Sequence, residues 1–101
     1  MSKKIYIAGK VSGLPYVDLT FKFGSVEQTL KEQGYTVINP LNIVLGGEAW
    51  EPAMKKCIAA LVDCDEVFML HDWKESPGAR MEHEIATKLK LKIHYGIAPR
   101  R

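Results

Sequence analysis

The chain has 101 residues, 47% of them hydrophobic and 26% charged, and a formal net charge of +2. These values indicate one ordinary globular domain, residues 1–101, with a modest core, and they argue against a nucleic acid polymer as the main partner. No apolar run approaches the roughly 20 residues that cross a membrane, and the first residues lack the apolar segment of a signal peptide. We therefore expect a cytoplasmic protein with no membrane partner.

The first two predicted elements are a buried strand and a long helix. Residues 4–8 (KIYIA) are apolar and rich in β-formers, and they end at Gly9, which is typical of a buried strand. After a loop that contains glycine and proline, Asp18 is a good N-cap and Gly34 a good helix terminator. A helix is predicted over residues 19–33, because its apolar residues recur at helical spacing: Leu19, Phe23, Val26 and Leu30.

The middle of the chain repeats this alternation. Residues 35–39 (YTVIN) predict a second strand that Pro40 ends, and an irregular loop follows over residues 40–52. A second helix is predicted over residues 51–62, and the apolar run at residues 66–70 (EVFML) predicts a third, central strand.

The last two predicted elements are a helix and an edge strand. The third helix is expected over residues 77–89, with Met81, Ile85 and Leu89 facing the core. Residues 89–95 (LKLKIHY) alternate between apolar and polar side chains, as in a half-exposed strand, and lysines on an edge strand discourage aggregation.

The order β-α-β-α-β-α-β with right-handed crossovers predicts a parallel sheet with helices on both faces. We expect the strand order 2-1-3-4, a small doubly wound, Rossmann-like α/β fold. Ligands of such sheets bind at the carboxyl ends of the strands, near the point where the strand order reverses. The predicted site therefore lies between the loops at residues 9–13 and 71–78.

The loop GKVSG, residues 9–13, has the parts of a phosphate cradle. Gly9 and Gly13 allow close approach of the backbone to a ligand, and Lys10 and Ser12 add a charge and a hydroxyl. The length and the final Lys-Ser/Thr of a P-loop are missing. The alternative is an ordinary turn with a solvated lysine.

The stretch SPGARMEHEIA, residues 76–86, opens the third helix. Ser76 fits the N-cap and Pro77 the first helical position, so the free N–H groups of the first turn are a candidate anion site from which Gly78 keeps side chains away. Glu82 has only small neighbours on its helical stripe, and this leaves room for a ligand above its carboxylate: Gly78, Ala79 and Ala86. The alternative is a partly buried glutamate paired with a lysine.

Several further residues have two interpretations each. Asp72 follows the third strand on the site side, whereas Asp65 precedes that strand and is expected to cap or turn the chain at the far end. Trp73 and Trp50 either stack on a base or cover the core. Tyr6 either reaches the site or belongs to the core.

The cysteines and histidines give no sign of a metal site. Cys57 and Cys64 are spaced neither as metal ligands nor as a redox pair, and we expect two reduced thiols near the core. His71 and His83 have no partners at ligand spacing. No metal and no cofactor is therefore predicted.

Four segments together resemble the nucleoside 2-deoxyribosyltransferase-like family: KIYIAGKVSG, GYTVINP, LVDCDEVFMLHDW and SPGARMEHEIA. The chain is most similar to a short branch related to the 2′-deoxynucleoside 5′-monophosphate N-glycosidases. The resemblance implies that Glu82 is a catalytic nucleophile, which attacks C1′ of the deoxyribose and expels the base. It also implies a tyrosine near the sugar at Tyr6, and phosphate contacts from Ser76, Gly78 and the GKVSG loop.

The sequence also departs from the family pattern. Cys57 stands where the transferases carry an aspartate, and Ser76 replaces an acidic residue, which favours a phosphorylated substrate. The family also implies a homodimer or larger homo-oligomer, for which Phe21 and Trp50 are candidate interface residues. Arg100 and Arg101 either reach a neighbour's phosphate or form a frayed tail.

Two functions follow from the sequence. The first is an N-glycosidase or deoxyribosyltransferase acting on 2′-deoxynucleoside 5′-monophosphates. The second is a binding module that holds a nucleotide in the same pocket without cleaving it.

Overall fold

The computed structural model describes residues 2–44 and 46–96. Its core is a four-stranded parallel sheet in the order β2-β1-β3-β4, which confirms the predicted α/β fold and strand order. The strands are β1 (Lys4–Ala8), β2 (Thr36–Ile38), β3 (Glu66–Met69) and β4 (Lys92–Tyr95).

Three helices cover this sheet: α1 (Tyr16–Glu32), α2 (Trp50–Val62) and α3 (Pro77–Lys88). None of the helices among the described residues has both the length and the apolar composition needed to cross a bilayer.

The two faces of the sheet hold two apolar clusters. Because side chains alternate along a strand, Ile5 and Ile7 point to one face and Tyr6 and Ala8 to the other. The isoleucines pack with the apolar stripe of α1, and Tyr6 and Ala8 pack with α2 and α3. Tyr6 is therefore part of a core and also lies on the same side of the sheet as Glu82.

Helix α1 begins earlier than the sequence predicts. Its N-cap is Pro15, with extended backbone, so Asp18 lies in the first turn of the helix and does not cap it. A negative charge there still interacts favourably with the helix dipole. Gly34 has a φ of +97°, which fits the predicted end of the helix, since glycine adopts positive φ at no steric cost.

Strand β4 is shorter than predicted. The alternating pattern begins at Leu89, but Leu89 is 54% exposed and Lys90 has a φ of +61°, so the chain turns there before the strand begins at Lys92. The pattern places His94 on the exposed face, yet its Nε2 lies 2.7 Å from the buried Glu66 Oε1. Strand β1 has its predicted limits, β2 is one residue shorter at each end, and β3, α2 and α3 differ by one residue at one end.

The predicted core stripe of α3 is wrong at Met81 and Leu89, whereas Ile85 packs against an apolar cluster as predicted. Met81 and Leu89 are 39% and 54% exposed. The buried residues of this helix are small ones together with the glutamate: Gly78, Ala79, Glu82 and Ala86. Small side chains allow α3 to approach the sheet and α2 closely, so Met81 and Leu89 lie at the periphery.

Candidate active site

A cavity of about 380 Å³ opens at the carboxyl end of β1, at the edge of the sheet where the topology predicts a ligand. Its walls come from the loop after β1, the loop before α2, the inner face of α2 and the first turns of α3. Its volume lies within the range of roughly 300–1,000 Å³ that is usual for small-molecule sites.

Glu82 and Tyr6 form a hydrogen-bonded pair in this cavity. The Tyr6 hydroxyl donates to Glu82 Oε2 at 2.7 Å. Both side chains line the cavity but are almost completely buried, with 5% of Glu82 and 1% of Tyr6 exposed. A long-range contact between β1 and α3 thus fixes the orientation of the carboxylate.

Burial changes the protonation of both groups. It raises the pKa of Glu82 to about 7, and the hydrogen bond from Tyr6 limits this rise. Burial and the negative charge of Glu82 raise the pKa of Tyr6 far above its ordinary value, so its hydroxyl remains a donor. Near neutral pH, Glu82 is therefore divided between a carboxylic acid and a carboxylate.

Cys57 interacts with this pair and also lines the cavity. It is one of two buried free cysteines, as the sequence predicted. Burial raises the pKa of its thiol, the charges of Glu82 and Glu48 raise it further, and a hydrogen bond with Tyr6 opposes them. The residue at this position is therefore a neutral thiol and supplies no charge to the cavity.

The first turn of α3 forms one end of the cavity. Ser76 Oγ accepts a hydrogen bond from the Ala79 N–H at 3.1 Å, which confirms the predicted N-cap. Both residues line the cavity with Gly78. A Cβ on Gly78 would lie 2.9 Å from Met54 Sδ, so this glycine also makes room for the side chain of the facing helix.

The loop after β1 contributes some of its predicted residues. Gly9 and Ser12 line the cavity, whereas Lys10 and Gly13 do not. The Lys10 Nζ lies 3.4 Å from Glu75 Oε1. Gly13 has a φ of +84°, a left-handed backbone conformation that favours glycine.

Asp72 holds this loop and does not line the cavity. Its Oδ1 accepts from the Lys10 N–H at 3.1 Å, and its Oδ2 accepts from Lys22 Nζ at 2.6 Å. Lys22 Nζ also donates to the Lys10 carbonyl at 2.7 Å. Burial opposes ionisation of Asp72, but the hydrogen bonds from Lys22 and Lys10 outweigh it and lower the pKa of Asp72. Asp72 is thus placed to position a cavity loop.

The two tryptophans have different surroundings. Trp73 lies outside the cavity, stacked on His83 with ring centroids 4.1 Å apart, and packs against the apolar cluster under α2 and α3. This placement fits the interpretation that Trp73 covers the core. Trp50 lines the cavity. Asp65 lies at the opposite end of the sheet, where it accepts from the Lys4 N–H at 2.9 Å.

Sequence reasoning missed the wall formed by residues 40–44 and 46–48 and the start of α2. Leu41, Val44 and Met54 give this wall an apolar surface, and Glu48 adds a second carboxylate. The loop has no periodic pattern, so no local signal indicated these residues. Among the described residues, no lysine or arginine lines the cavity. Arg100 and Arg101 lie outside the described residues.

The chain matches the family model described as "Domain of unknown function (DUF4406)" over residues 3–95. It therefore belongs to this family, whose description names no reaction. A comparison with curated proteins found no match.

Proposed function

We propose that this member of the DUF4406 family cleaves the N-glycosidic bond of 2′-deoxynucleoside 5′-monophosphates, with Glu82 as the nucleophile. The observation that carries the proposal is a buried carboxylate, oriented by Tyr6, in a cavity at the carboxyl end of the sheet. The resemblance of the segments around these two residues to the deoxyribosyltransferase-like family supports the same assignment.

The reaction has two steps. The Glu82 carboxylate attacks C1′, and the bond from C1′ to the base nitrogen breaks with its electron pair moving to the base. The transition state resembles an oxocarbenium ion, which a nearby carboxylate stabilises. Water then attacks C1′ of the glycosyl-enzyme, which restores the carboxylate, and the proton that the water releases balances the charge on the departed base. A second base in place of water makes the reaction a transfer.

Tyr6 has a positioning role in this scheme. Its hydroxyl donates to Oε2, so Oε1 is the oxygen assigned to the attack. The same hydrogen bond favours the ionised form of Glu82 and lowers its pKa. Only the ionised form is nucleophilic, so the rate of cleavage should rise with pH and level off above a midpoint near 7.

The phosphate is assigned to the first turn of α3. Backbone N–H groups at a helix N-terminus attract anions, and Ser76, Gly78 and Ala79 line the cavity there. The Ala79 N–H already donates to Ser76 Oγ. Because the described wall has no cationic side chain, we assign phosphate recognition to the Gly78 N–H, to the hydroxyl proton of Ser76 and to the loop of Gly9 and Ser12. Met54 and Trp50 lie next to Gly78 at that end, so the base is assigned to the apolar wall of Leu41 and Val44.

The test is a cleavage assay with each of the four 2′-deoxynucleoside 5′-monophosphates and with the matching nucleosides. Free base should appear from the monophosphates with the wild-type protein and be lost with Glu82→Gln. The matched control is Glu84→Gln, two residues further along α3 on its exposed face, which should retain activity. Full activity of Glu82→Gln would refute the assignment of Glu82 as the nucleophile. Equal cleavage of nucleosides and monophosphates would refute the assignment of a phosphate site.

The alternative is a nucleotide-binding module without catalysis. Cys57 favours it, because a neutral thiol stands where the resembling transferases carry an aspartate. Nucleotide binding by wild type and Glu82→Gln alike, without release of base from either, would establish this function.

Cellular context and assembly complete the proposal. We place the protein in the cytoplasm, where its two free thiols would stay reduced, and we propose a homodimer or larger homo-oligomer.

A further inference from the structure

The second carboxylate of the cavity, Glu48, has no part in the reaction as proposed. It precedes α2 by two residues and lines the same cavity as Glu82. Its side chain is only 14% exposed, and Lys56 Nζ lies 2.8 Å from its Oε2. This ion pair restricts the side chain of Glu48.

The neighbours of Glu48 indicate which part of a ligand it meets. Glu48 is close enough to Cys57 for its charge to act on that thiol, and so is Glu82. The thiol is therefore within electrostatic reach of both carboxylates. Glu48 and Glu82 are the charged side chains among the described residues that line the cavity. With Glu82 assigned to C1′ and the start of α3 assigned to the phosphate, Glu48 is the charged group that remains for the base.

We propose that Glu48 selects the base, by accepting a hydrogen bond from an exocyclic amino group; this inference rests on the proposed function. An ionised carboxylate is an acceptor only, so it binds an amino group, which donates a hydrogen bond to it. An oxo group at the same position is itself an acceptor, so it forms no hydrogen bond with the carboxylate and is repelled by its negative charge. The substrates are therefore nucleotides of amino-bearing bases.

The test compares nucleotides that differ by one group. Binding is measured by calorimetry in the Glu82→Gln background, so that no base is released during the titration. The pairs are the deoxynucleoside monophosphates of adenine and hypoxanthine, of cytosine and uracil, and of guanine and hypoxanthine. A hydrogen bond to a charged group corresponds to about 10- to 100-fold in affinity, so the amino member of at least one pair should bind at least about tenfold more tightly.

Adding Glu48→Gln should reduce this preference to below about threefold, because an amide donates to an oxo group as well as it accepts from an amino group. Adding Glu48→Ala should remove it as well, and it tests the same point if the amide variant folds poorly. The matched control is Glu51→Gln, an exposed glutamate in the first turn of α2, which should leave the preference unchanged.

The outcomes separate this inference from the proposed function. Cleavage by the wild type, with no amino preference in any pair or with a preference that survives both Glu48 variants, would overturn the role of Glu48 alone. If the wild type releases no base and the Glu82→Gln protein binds no nucleotide, both the proposed function and the role of Glu48 are refuted.

Discussion

Replacing Glu82 by glutamine should make the protein more stable at alkaline pH. Burial raises the pKa of Glu82 from its ordinary value of 4.5 to about 7. A folded-state pKa above the unfolded value means that the folded state binds the proton more tightly. The stabilisation is fully present below the unfolded pKa and is lost as the pH rises through the folded pKa.

The size of the effect follows from the two pKa values. At about 1.4 kcal/mol for each pH unit, the rise to about 7 corresponds to about 3 kcal/mol between acidic and alkaline pH. The amide of the Glu82→Gln variant cannot ionise, and its carbonyl can still accept from Tyr6. The wild type should therefore lose about 3 kcal/mol relative to Glu82→Gln between about pH 4 and pH 8.5, mostly between about 4.5 and 7.

The assay is urea unfolding of both proteins at a series of pH values. Because the other titrating groups are common to both, the difference in unfolding free energy isolates Glu82. Glu84→Gln is the control, since the carboxylate of Glu84 is exposed and its removal should give a difference that hardly varies with pH. A constant difference for Glu82→Gln, or one of opposite slope, would refute the raised pKa and the pH dependence of the reaction derived from it.

Two further predictions concern the midpoint of the pH–rate profile and the glycines. Tyr6→Phe removes the hydrogen bond that lowers the pKa of the nucleophile, so the midpoint of the rate against pH should move upward; an unchanged midpoint would contradict the positioning role. Gly9→Ala should destabilise the fold by about 1–3 kcal/mol, because the new Cβ would lie 2.6 Å from Leu70 Cδ1. Gly24→Ala in α1, where a Cβ meets nothing within 4 Å, should instead stabilise it by roughly 0.5–1 kcal/mol; thermal unfolding that ranks the two in the reverse order would contradict the packing at Gly9.

Local sequence patterns determined the elements and the order of the strands. Apolar runs of four or five residues, helical spacing and glycine at chain reversals act over short distances, so they can be recognised without knowing the fold. The buried patterns of the first and third strands, the edge pattern of the fourth and the right-handed crossover rule together favour the strand order 2-1-3-4, which the structure has. The N-cap at Ser76 is equally local, because its partner is Ala79, three residues away.

Only the tertiary structure decided what the polar side chains contact. Glu82 pairs with Tyr6, 76 positions away, and Asp72 pairs with Lys22, 50 positions away. The sequence predicts a phosphate contact for Lys10, but its ammonium lies beside Glu75, and Glu48 carries no local signal of its place in the cavity. The reason is physical: a hydrogen bond or ion pair depends on which distant segment the fold brings within about 3 Å, whereas strand and helix formation depends mainly on neighbours along the chain.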